Sequence, residues 1–286
     1  MKKWIVRILQ WGAAALLLLL AGTILATSGP FYSAPPERIA HLSSAAVEGK
    51  TVLVAGGTSA SGVELVRVLK ARGWRVVAMV RPSSNTAPLE ALGVDKVVAD
   101  AMNPGETAAV FATGKFDAVV SMIGTSARDL PKRRNAVDVR IRGPEKMDPN
   151  RRPDFIGNRN LIDAAKAAGV ARFVFVTVIG AGDSDGAVPW GARRGHEDVI
   201  ALKTQAEDHL RASGLDWTII RPGGLGRQPT GTTAVLVEDS KAFSFLARSD
   251  LGRLTADALG DASTVGKVYT AFDPQRRMIW TLFTAK

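Results

Sequence analysis

A glycine-rich turn near residue 56 has the residue types and spacing that most clearly indicate chemistry. It follows Thr51–Ala55, an apolar run typical of a buried strand, and precedes residues 63–72, whose apolar side chains have helical spacing. Backbone N–H groups at a helix N-terminus bind phosphate, and glycine lets the phosphate come close because it has no β-carbon. We therefore expect a dinucleotide diphosphate here, although a tight turn without ligand fits the same pattern. The candidate contacts are Gly56, Gly57, Thr58, Ser59, Ala60, Ser61 and Gly62.

The end of the next predicted strand indicates which dinucleotide binds. Residues 75–81 form a β-branched run that ends in Arg81, followed by Pro82, Ser83 and Ser84. An acidic residue at this place would bond the ribose 2′-hydroxyl of NAD, whereas a guanidinium and hydroxyls suit a 2′-phosphate. Arg81 and Ser83 therefore predict NADP(H) as the preferred cofactor, with NAD(H) left open. The alternative is that Arg81 is an ordinary surface charge at a strand end.

These residues need a sheet to position them, and the rest of the sequence predicts one. Apolar runs at 96–100, 118–124, 172–180 and 216–221 alternate with helical patterns at 108–113, 155–168 and 197–212. This alternation predicts an α/β fold, a Rossmann-type doubly wound parallel sheet. Ligands bind such sheets at the carboxyl ends of the strands, which adds Asp100, Ile123 and Gly124 to the candidate cofactor contacts. A small C-terminal substrate region is expected from about residue 225, with strands at 233–237 and 267–272 and a helix at 249–259.

Composition narrows the possible chemistry. The 286 residues include no cysteine, which excludes disulfides, a thiol nucleophile and cysteine-held metal clusters. The three histidines do not cluster along the chain, so no metal site is predicted. The net charge is +10, but no aromatic residues are interleaved with the basic residues between 128 and 159. A solvated basic surface is therefore favoured over nucleic-acid binding.

The segment from Thr125 to Pro153 is too long for an ordinary connection between two elements of a sheet. It has no apolar periodicity, it is rich in Arg and Lys, and it leaves the cofactor side of the fourth predicted strand. It could cover the site, bind the cofactor phosphates or touch anionic lipid. A solvated loop is an equally good interpretation.

The N-terminus predicts contact with a membrane. No charged residue occurs from Ile8 to Pro36, and the apolar run Ile8–Thr27 would span about 30 Å as a helix. We expect residues 1–28 to be a transmembrane anchor or a cleaved signal segment, residues 29–49 a linker, and residues 50–286 the NAD(P)-binding domain. The anchor is favoured because the run is long for a signal peptide. Lys2, Lys3 and Arg7 predict a domain outside the cytoplasm, whereas an NADP(H) cofactor suggests the cytoplasm. Both sides of the membrane therefore remain open as the location of the domain.

Several motifs together give a specific family resemblance over residues 50–273. Besides the glycine turn and Arg81, these are Asn158–Gly169, Val176–Gly180, Ala206–Gly214 and Ile220–Gly224. The chain resembles the atypical short-chain dehydrogenase/reductase family, in its NAD(P)H-binding, NmrA-like branch, which includes biliverdin-reductase-B-like proteins. The resemblance implies a Rossmann fold and an oxidoreductase acting on a small molecule that the sequence does not identify. It also implies that the loop at Pro222 passes near the nicotinamide.

The resemblance also implies a catalytic apparatus, which this chain has only in part. Classical members use a serine and a Tyr-x-x-x-Lys motif, in which the lysine lowers the pKa of the tyrosine. Lys203 matches the lysine, Thr177 offers a hydroxyl near the position of the serine, and Val199 replaces the tyrosine. We therefore expect Lys203 and Thr177 to be the catalytic candidates, with Lys203 also contacting the cofactor. Ser59 replaces the usual middle glycine of the turn.

The missing tyrosine leaves alternative functions open. One is an NADP(H)-dependent reductase whose substrate takes its proton from water. Another is a non-catalytic NAD(P)-binding redox sensor or assembly scaffold held at a membrane. A nucleotide-sugar epimerase is less favoured because it depends more strongly on the tyrosine.

Overall fold

The computed structural model describes residues 4, 10–21, 38–43, 49–125, 148, 152–188, 193, 196–226 and 233–276. The segment predicted as a long basic loop, 125–153, therefore lies mostly outside the described residues. The strands are β1 (Thr51–Ala55), β2 (Arg75–Val80), β3 (Asp95–Val98), β4 (Ala118–Ser121), β5 (Arg172–Val176), β6 (Asp216–Pro222), β7 (Gly224–Gly226), β8 (Val235–Val237), β9 (Phe245–Ala247) and β10 (Lys267–Phe272). The helices are α1 (Ala60–Ala71), α2 (Ala87–Glu90), α3 (Pro104–Ala112), α4 (Ile156–Ala167), α5 (Glu197–Arg211) and α6 (Arg248–Gly260).

Eight strands form one sheet in the order β3-β2-β1-β4-β5-β6-β10-β8. All neighbouring pairs are parallel except β8, which runs antiparallel to β10 at one edge. The chain order reverses between β1 and β4, and this is the point at which open α/β sheets bind their ligands. The prediction of a Rossmann-type doubly wound sheet is confirmed.

The sheet is buried on both faces because its strands are apolar at every position rather than at alternate ones. In β1, Val52 and Val54 belong to a core shared with the apolar sides of α1 and α6. Leu53, between them, belongs to a second core on the opposite face, shared with α3, α4 and α5. The glycine turn therefore leaves a strand that is held from both sides.

The predicted elements are present, with corrected ends. The strands expected to reach 124 and 180 end at Ser121 and Val176, because the chain turns away from the sheet there to form the edge of a cavity. The helix expected at 108–113 begins earlier, at Pro104, because the Asn103 side chain caps the N–H groups of Gly105 and Glu106. The short α2 and the two-stranded sheet of β7 and β9 were not predicted.

The C-terminal region continues the Rossmann domain. Strands β10 and β8 extend the main sheet, and α6 packs directly on α1. The contact between the helices is backbone to backbone: a β-carbon added at Gly252 would lie 2.8 Å from the Leu65 nitrogen. The helix that follows the glycine turn is thus held in place by a segment about 190 residues later in the chain.

The N-terminal part is described in two pieces. Residues 10–21 are helical and exposed, and the remainder of the predicted span Ile8–Thr27 lies outside the described residues. Within the part of the chain that the structure describes, no helix is both long and apolar enough to cross a membrane. Residues 38–43, which fall in the predicted linker, lie against β8: Ala40 N–H donates to the Leu236 carbonyl at 2.9 Å, and Arg38 pairs with Asp239 at 3.0 Å.

Candidate functional site

The glycine turn has the shape that the sequence predicts. Gly56 has φ +88°, a conformation that side chains rarely adopt, and its added β-carbon would lie 2.8 Å from the Met122 backbone. At Gly62 an added β-carbon would lie 2.3 Å from the Gly56 carbonyl oxygen. These two glycines let α1 begin directly against the end of β1, with its first N–H groups at the carboxyl edge of the sheet.

Ser59 has a definite structural role at the place of the usual middle glycine. It is the N-cap residue of α1, and its hydroxyl oxygen accepts a hydrogen bond from Gly62 N–H at 3.0 Å. This bond satisfies one of the N–H groups that a helix start leaves unpaired. The hydroxyl keeps its own hydrogen as a donor, so Ser59 can still bind an anion at the turn.

A cavity of about 220 Å³ opens beside this turn, at the carboxyl ends of β1, β4, β5 and β6. It brings together residues that the sequence placed in separate motifs. The predicted site residues that line it are Ser59, Ser61, Ile123, Gly124, Thr177, Lys203 and Pro222. Val199 also lines it, one helical turn before Lys203, so the place of the tyrosine holds an aliphatic side chain. Of the two tyrosines, Tyr269 lies in β10 away from this cavity, and Tyr32 lies outside the described residues.

The other predicted contacts lie at the same edge but do not line the cavity. Arg81 and Ser83 are exposed at the end of β2, in a turn where Arg81 N–H donates to the Ser84 hydroxyl at 3.1 Å. The Asp100 carboxylate accepts a hydrogen bond from Met102 N–H at 3.0 Å, and so shapes the turn before α3. Gly56, Gly57, Thr58, Ala60 and Gly62 form the turn itself.

Lys203 is the cation of the cavity. It is 4% exposed, and its ammonium donates to the Ile123 carbonyl and lies 5.0 Å from the centre of the Phe175 ring. Asp154 Oδ1 is 3.7 Å from the Lys203 Nζ. Burial lowers the pKa of Lys203 below its ordinary value, although the charges of Asp154 and Glu207 act in the opposite direction.

Asp154 is a site residue that the sequence analysis missed. Its Oδ2 accepts hydrogen bonds from the backbone N–H of Thr125, at 3.0 Å, and from the Thr125 hydroxyl. Its Oδ1 is buried in the cavity wall and has no hydrogen-bond partner among the residues that the structure describes. An added β-carbon at Gly124 would lie 3.1 Å from this oxygen, so Gly124 leaves room for it.

The signal for Asp154 was present but ambiguous. It lies between the predicted loop, which ends at Pro153, and the predicted helix, which begins at Phe155. A carboxylate just before a helix is normally an N-cap. Here no side chain caps α4, and the carboxylate turns instead to Thr125, 29 residues earlier. Asp154 and Thr125 meet only because the fold brings the two ends of that long connection together.

Thr177 is held by a buried ion pair that was also not predicted. Its hydroxyl donates to Glu207 Oε1 at 2.7 Å, and Arg221 donates to both oxygens of the same carboxylate, at 3.0 and 2.6 Å. Burial alone would lower the pKa of Arg221, but Glu207 and Asp183 raise it above its ordinary value. Since the hydroxyl hydrogen of Thr177 is directed to Glu207, the oxygen faces the cavity as an acceptor.

Comparison with known proteins identifies the family. The profile of the NAD(P)H-binding family matches residues 56–262, which covers the turn, the cavity and α6. The chain belongs to this NAD(P)H-binding family. The resemblance to the atypical short-chain dehydrogenase/reductase family is confirmed with it.

Several known proteins are similar to this chain over most of its length. Protein TIC 62 of rice is 29% identical over 258 residues, which cover 81% of this chain and 47% of the rice protein. Sanguinarine reductase of Eschscholzia californica is 27% identical, over 73% of this chain and 84% of that protein. Among solved structures, the anaerobilin reductase ChuY of Escherichia coli O157:H7 superimposes with a TM-score of 0.64 at 24% identity, over 79% of this chain and 98% of that chain. The chain thus spans about half the length of the rice relative and most of the length of sanguinarine reductase.

Proposed function

We propose that this chain is an NADP(H)-dependent reductase of its family, tethered to a membrane by its N-terminal segment. The observation that carries the proposal is the cavity in which the glycine turn faces a buried lysine at the carboxyl edge of the sheet. The start of α1 would hold the diphosphate, and Lys203, Thr177 and Pro222 would hold the nicotinamide end. When bound, the cofactor supplies a hydride.

The residues present fit such a cofactor by their empty space and their chemistry. Gly56 and Gly62 leave the turn without the β-carbons that would fill it. The Thr177 oxygen can accept, and the Lys203 ammonium can donate, a hydrogen bond within one cavity. The walls supplied by Ile123, Val178 and Leu225 are apolar, which suits a flat ring and excludes water.

The preference for NADP(H) over NAD(H) rests on the end of β2. Arg81 and Ser83 are exposed there, beside the strand that leads into the glycine turn. No carboxylate occurs in the stretch 81–84 to bond a ribose 2′-hydroxyl. A guanidinium with neighbouring hydroxyls suits the doubly charged 2′-phosphate.

A second candidate function is a non-catalytic NAD(P)-binding redox sensor or assembly scaffold. Val199 favours it, because the cavity then lacks the phenol that classical members use as their proton donor. The reductase is favoured by the Asp154–Lys203 pair. Burying two charges costs stability unless both are fully hydrogen-bonded, and among the described residues one oxygen of this pair has no hydrogen-bond partner, which favours a role in binding or catalysis.

The membrane tether rests on the helical residues 10–21. Trp11 and the run Leu16–Leu20 are at least half exposed in this helix. Apolar side chains of this density partition into a bilayer, and tryptophan suits its interface. A reporter fused to the C-terminus and tested on both sides of the membrane would determine where the domain lies; a chain that stays in the supernatant after membranes are removed would contradict the tether.

The cofactor proposal is tested by titrating the full chain, in detergent, with NADPH and with NADH while nicotinamide fluorescence is followed. We expect NADPH to bind more tightly, and Arg81→Ala to weaken NADPH by about tenfold or more, the size of one lost charge-assisted contact. NADH binding should change little. Arg67→Ala, which removes an exposed arginine on α1, is the matched control. Equal binding of both dinucleotides would contradict the NADP preference, and binding of neither would refute the function.

A further inference from the structure

The cavity contains an acid that can do the work of the missing tyrosine. We propose that the Lys203 ammonium is the proton donor of the reductase, and that Asp154 is the positioning residue that keeps it charged and directed into the cavity. This inference rests on the proposed function and adds to it a source for the proton that reduction of a carbonyl or quinone requires.

Few of the described groups that line the cavity can donate a proton. Among the described lining residues, only Asp154 and Lys203 have ionisable side chains. The hydroxyl hydrogens of Thr125 and Thr177 are directed to Asp154 and Glu207, so neither faces the cavity. Two serines remain, and both lie in the glycine turn, on the phosphate side of the cavity. Among the described lining residues, Lys203 is thus the one whose acidity suits general acid catalysis.

Asp154 and Lys203 both have hydrogen-bonding capacity that the described residues do not use. An ammonium has three hydrogens, and within the described residues Lys203 donates to one acceptor, the Ile123 carbonyl. No described residue donates a hydrogen bond to Asp154 Oδ1, which lies 3.7 Å from the Lys203 Nζ. A separation of 3.7 Å is too long for a direct hydrogen bond, but a hydroxyl or water oxygen placed between the two atoms can accept from the ammonium and donate to the carboxylate. The pair is therefore arranged to bind a third polar group.

The charged and aromatic groups around the Lys203 ammonium determine how readily it loses its proton. Asp154 faces it from the turn before α4, and Glu207 lies one turn further along α5, already paired with Arg221 of β6. Phe175 of β5 presents its ring, which also favours a cation. Burial disfavours the charge while these groups favour it, so the lysine can lose its proton more readily than an exposed lysine does.

The proton step balances without any further reagent. The acceptor oxygen would take the proton from Lys203 Nζ as the hydride that bound NADPH would supply reaches the electrophilic carbon of the acceptor. The neutral amine that remains regains a proton from water.

The test uses two hydride acceptors that differ in their need for a proton. Phenanthrenequinone needs a hydride and a proton, whereas the N-methylacridinium cation needs only a hydride. With the full chain at saturating NADPH, we expect Lys203→Met to lower kcat for the quinone by about a hundredfold more than kcat for acridinium, a typical contribution of general acid catalysis. The exposed Lys166→Met is the control and should affect neither. Comparison of the two acceptors separates proton donation from cofactor binding, which both reactions share.

The role of Asp154 is read from the pH profile. Quinone turnover should fall as pH rises and Lys203 loses its proton. Asp154→Asn should move this fall to lower pH by at least about one unit, because the carboxylate favours the charged lysine, while Asn can still accept from Thr125 N–H. Acridinium turnover should stay flat, and Asp163→Asn, at an exposed carboxylate, should leave both profiles unchanged. A purely structural Asp154 would lower the rate equally at all pH values.

The outcomes distinguish this inference from the proposed function. Equal loss with both acceptors would overturn proton donation by Lys203, and an unshifted pH profile in Asp154→Asn would overturn the role of Asp154; both results leave the reductase function intact. NADPH binding with reduction of neither acceptor by the parent would overturn the reductase and the proton donor, and leave cofactor binding intact. Failure to bind NADPH at all would overturn both.

Discussion

The two halves of the cavity are built by different means. On the turn side, backbone atoms form the site: two glycines bring the end of β1 and the start of α1 together, and Ser59 caps the helix. On the lysine side, buried side-chain charges form it, and Lys203, Asp154 and the Glu207–Arg221 pair come from three separate parts of the chain. A short sequence motif therefore specifies the first half, whereas the second half exists only when distant segments pack. Mutations on the turn side should change mainly ligand binding, whereas mutations of the Glu207–Arg221 pair on the lysine side should change mainly stability.

The largest expected effect is on the buried ion pair. Arg221→Met leaves the Glu207 carboxylate buried with its main partner gone, and we expect a loss of about 3–5 kcal/mol in the free energy of unfolding, measured by urea denaturation. The exposed Arg67→Met is the control. A loss below about 1 kcal/mol would mean that the lysine side is not held by its charges.

The next effect sharpens the contrast, because it should act mainly on binding. Gly62→Ala places a β-carbon 2.3 Å from the Gly56 carbonyl oxygen, and we expect NADPH binding to be lost, with about 1–3 kcal/mol of stability. Gly57→Ala is the matched control, since its added β-carbon meets only side chains at 3.6 Å. If both variants bind NADPH as the parent does, the close approach in this turn does not serve the cofactor.

A smaller effect is expected at Thr177, where the lysine side reaches the cavity. Thr177→Val removes the hydroxyl that donates to Glu207 and should lower stability by about 1–2 kcal/mol. Thr177→Ser keeps a hydroxyl and should recover most of this loss. If Thr177→Ser is as unstable as Thr177→Val, packing of the methyl group and not the hydrogen bond accounts for the effect.

The smallest effect is a pH dependence specific to Lys203. Its pKa is lowered in the folded protein, so between that pKa and the ordinary lysine value the unfolded chain binds more protons, and stability rises with pH. We expect the parent to gain stability relative to Lys203→Met across this alkaline window, as measured by urea denaturation at several pH values. Parallel curves for the two proteins would contradict a lowered pKa.

Much of the fold could be predicted from residue patterns. The strand, turn and helix around residue 56 were predicted because their signals are local: a β-branched run, glycines where the backbone must turn, and apolar spacing of the following helix. Strand ends were less accurate, since the point at which a strand leaves the sheet depends on its neighbours. The pairing of β7 with β9 was missed because each strand has three residues, too few for a period.

The candidate site also contains both residues that the sequence predicted and residues that it did not. Lys203 was predicted because the family resemblance places the lysine of its motif there, and the structure places it in the cavity with Thr177, Gly124 and Pro222. Asp154 and Glu207 were missed because a lone carboxylate near a helix has many ordinary roles. Their roles here depend on partners 29 and 30 residues away, which no local pattern specifies.

By itself the sequence determined the class of fold, the glycine turn and the family. It could do so because backbone conformation and the two-sided burial of strands depend on neighbouring residues. Only the tertiary structure decided which charges share the cavity, that the Thr177 hydroxyl is directed to Glu207, and that Asp154 faces Lys203. Those facts depend on burial and on distances between remote segments, and a charged side chain acquires its pKa and its partner only when the packed chain removes water around it.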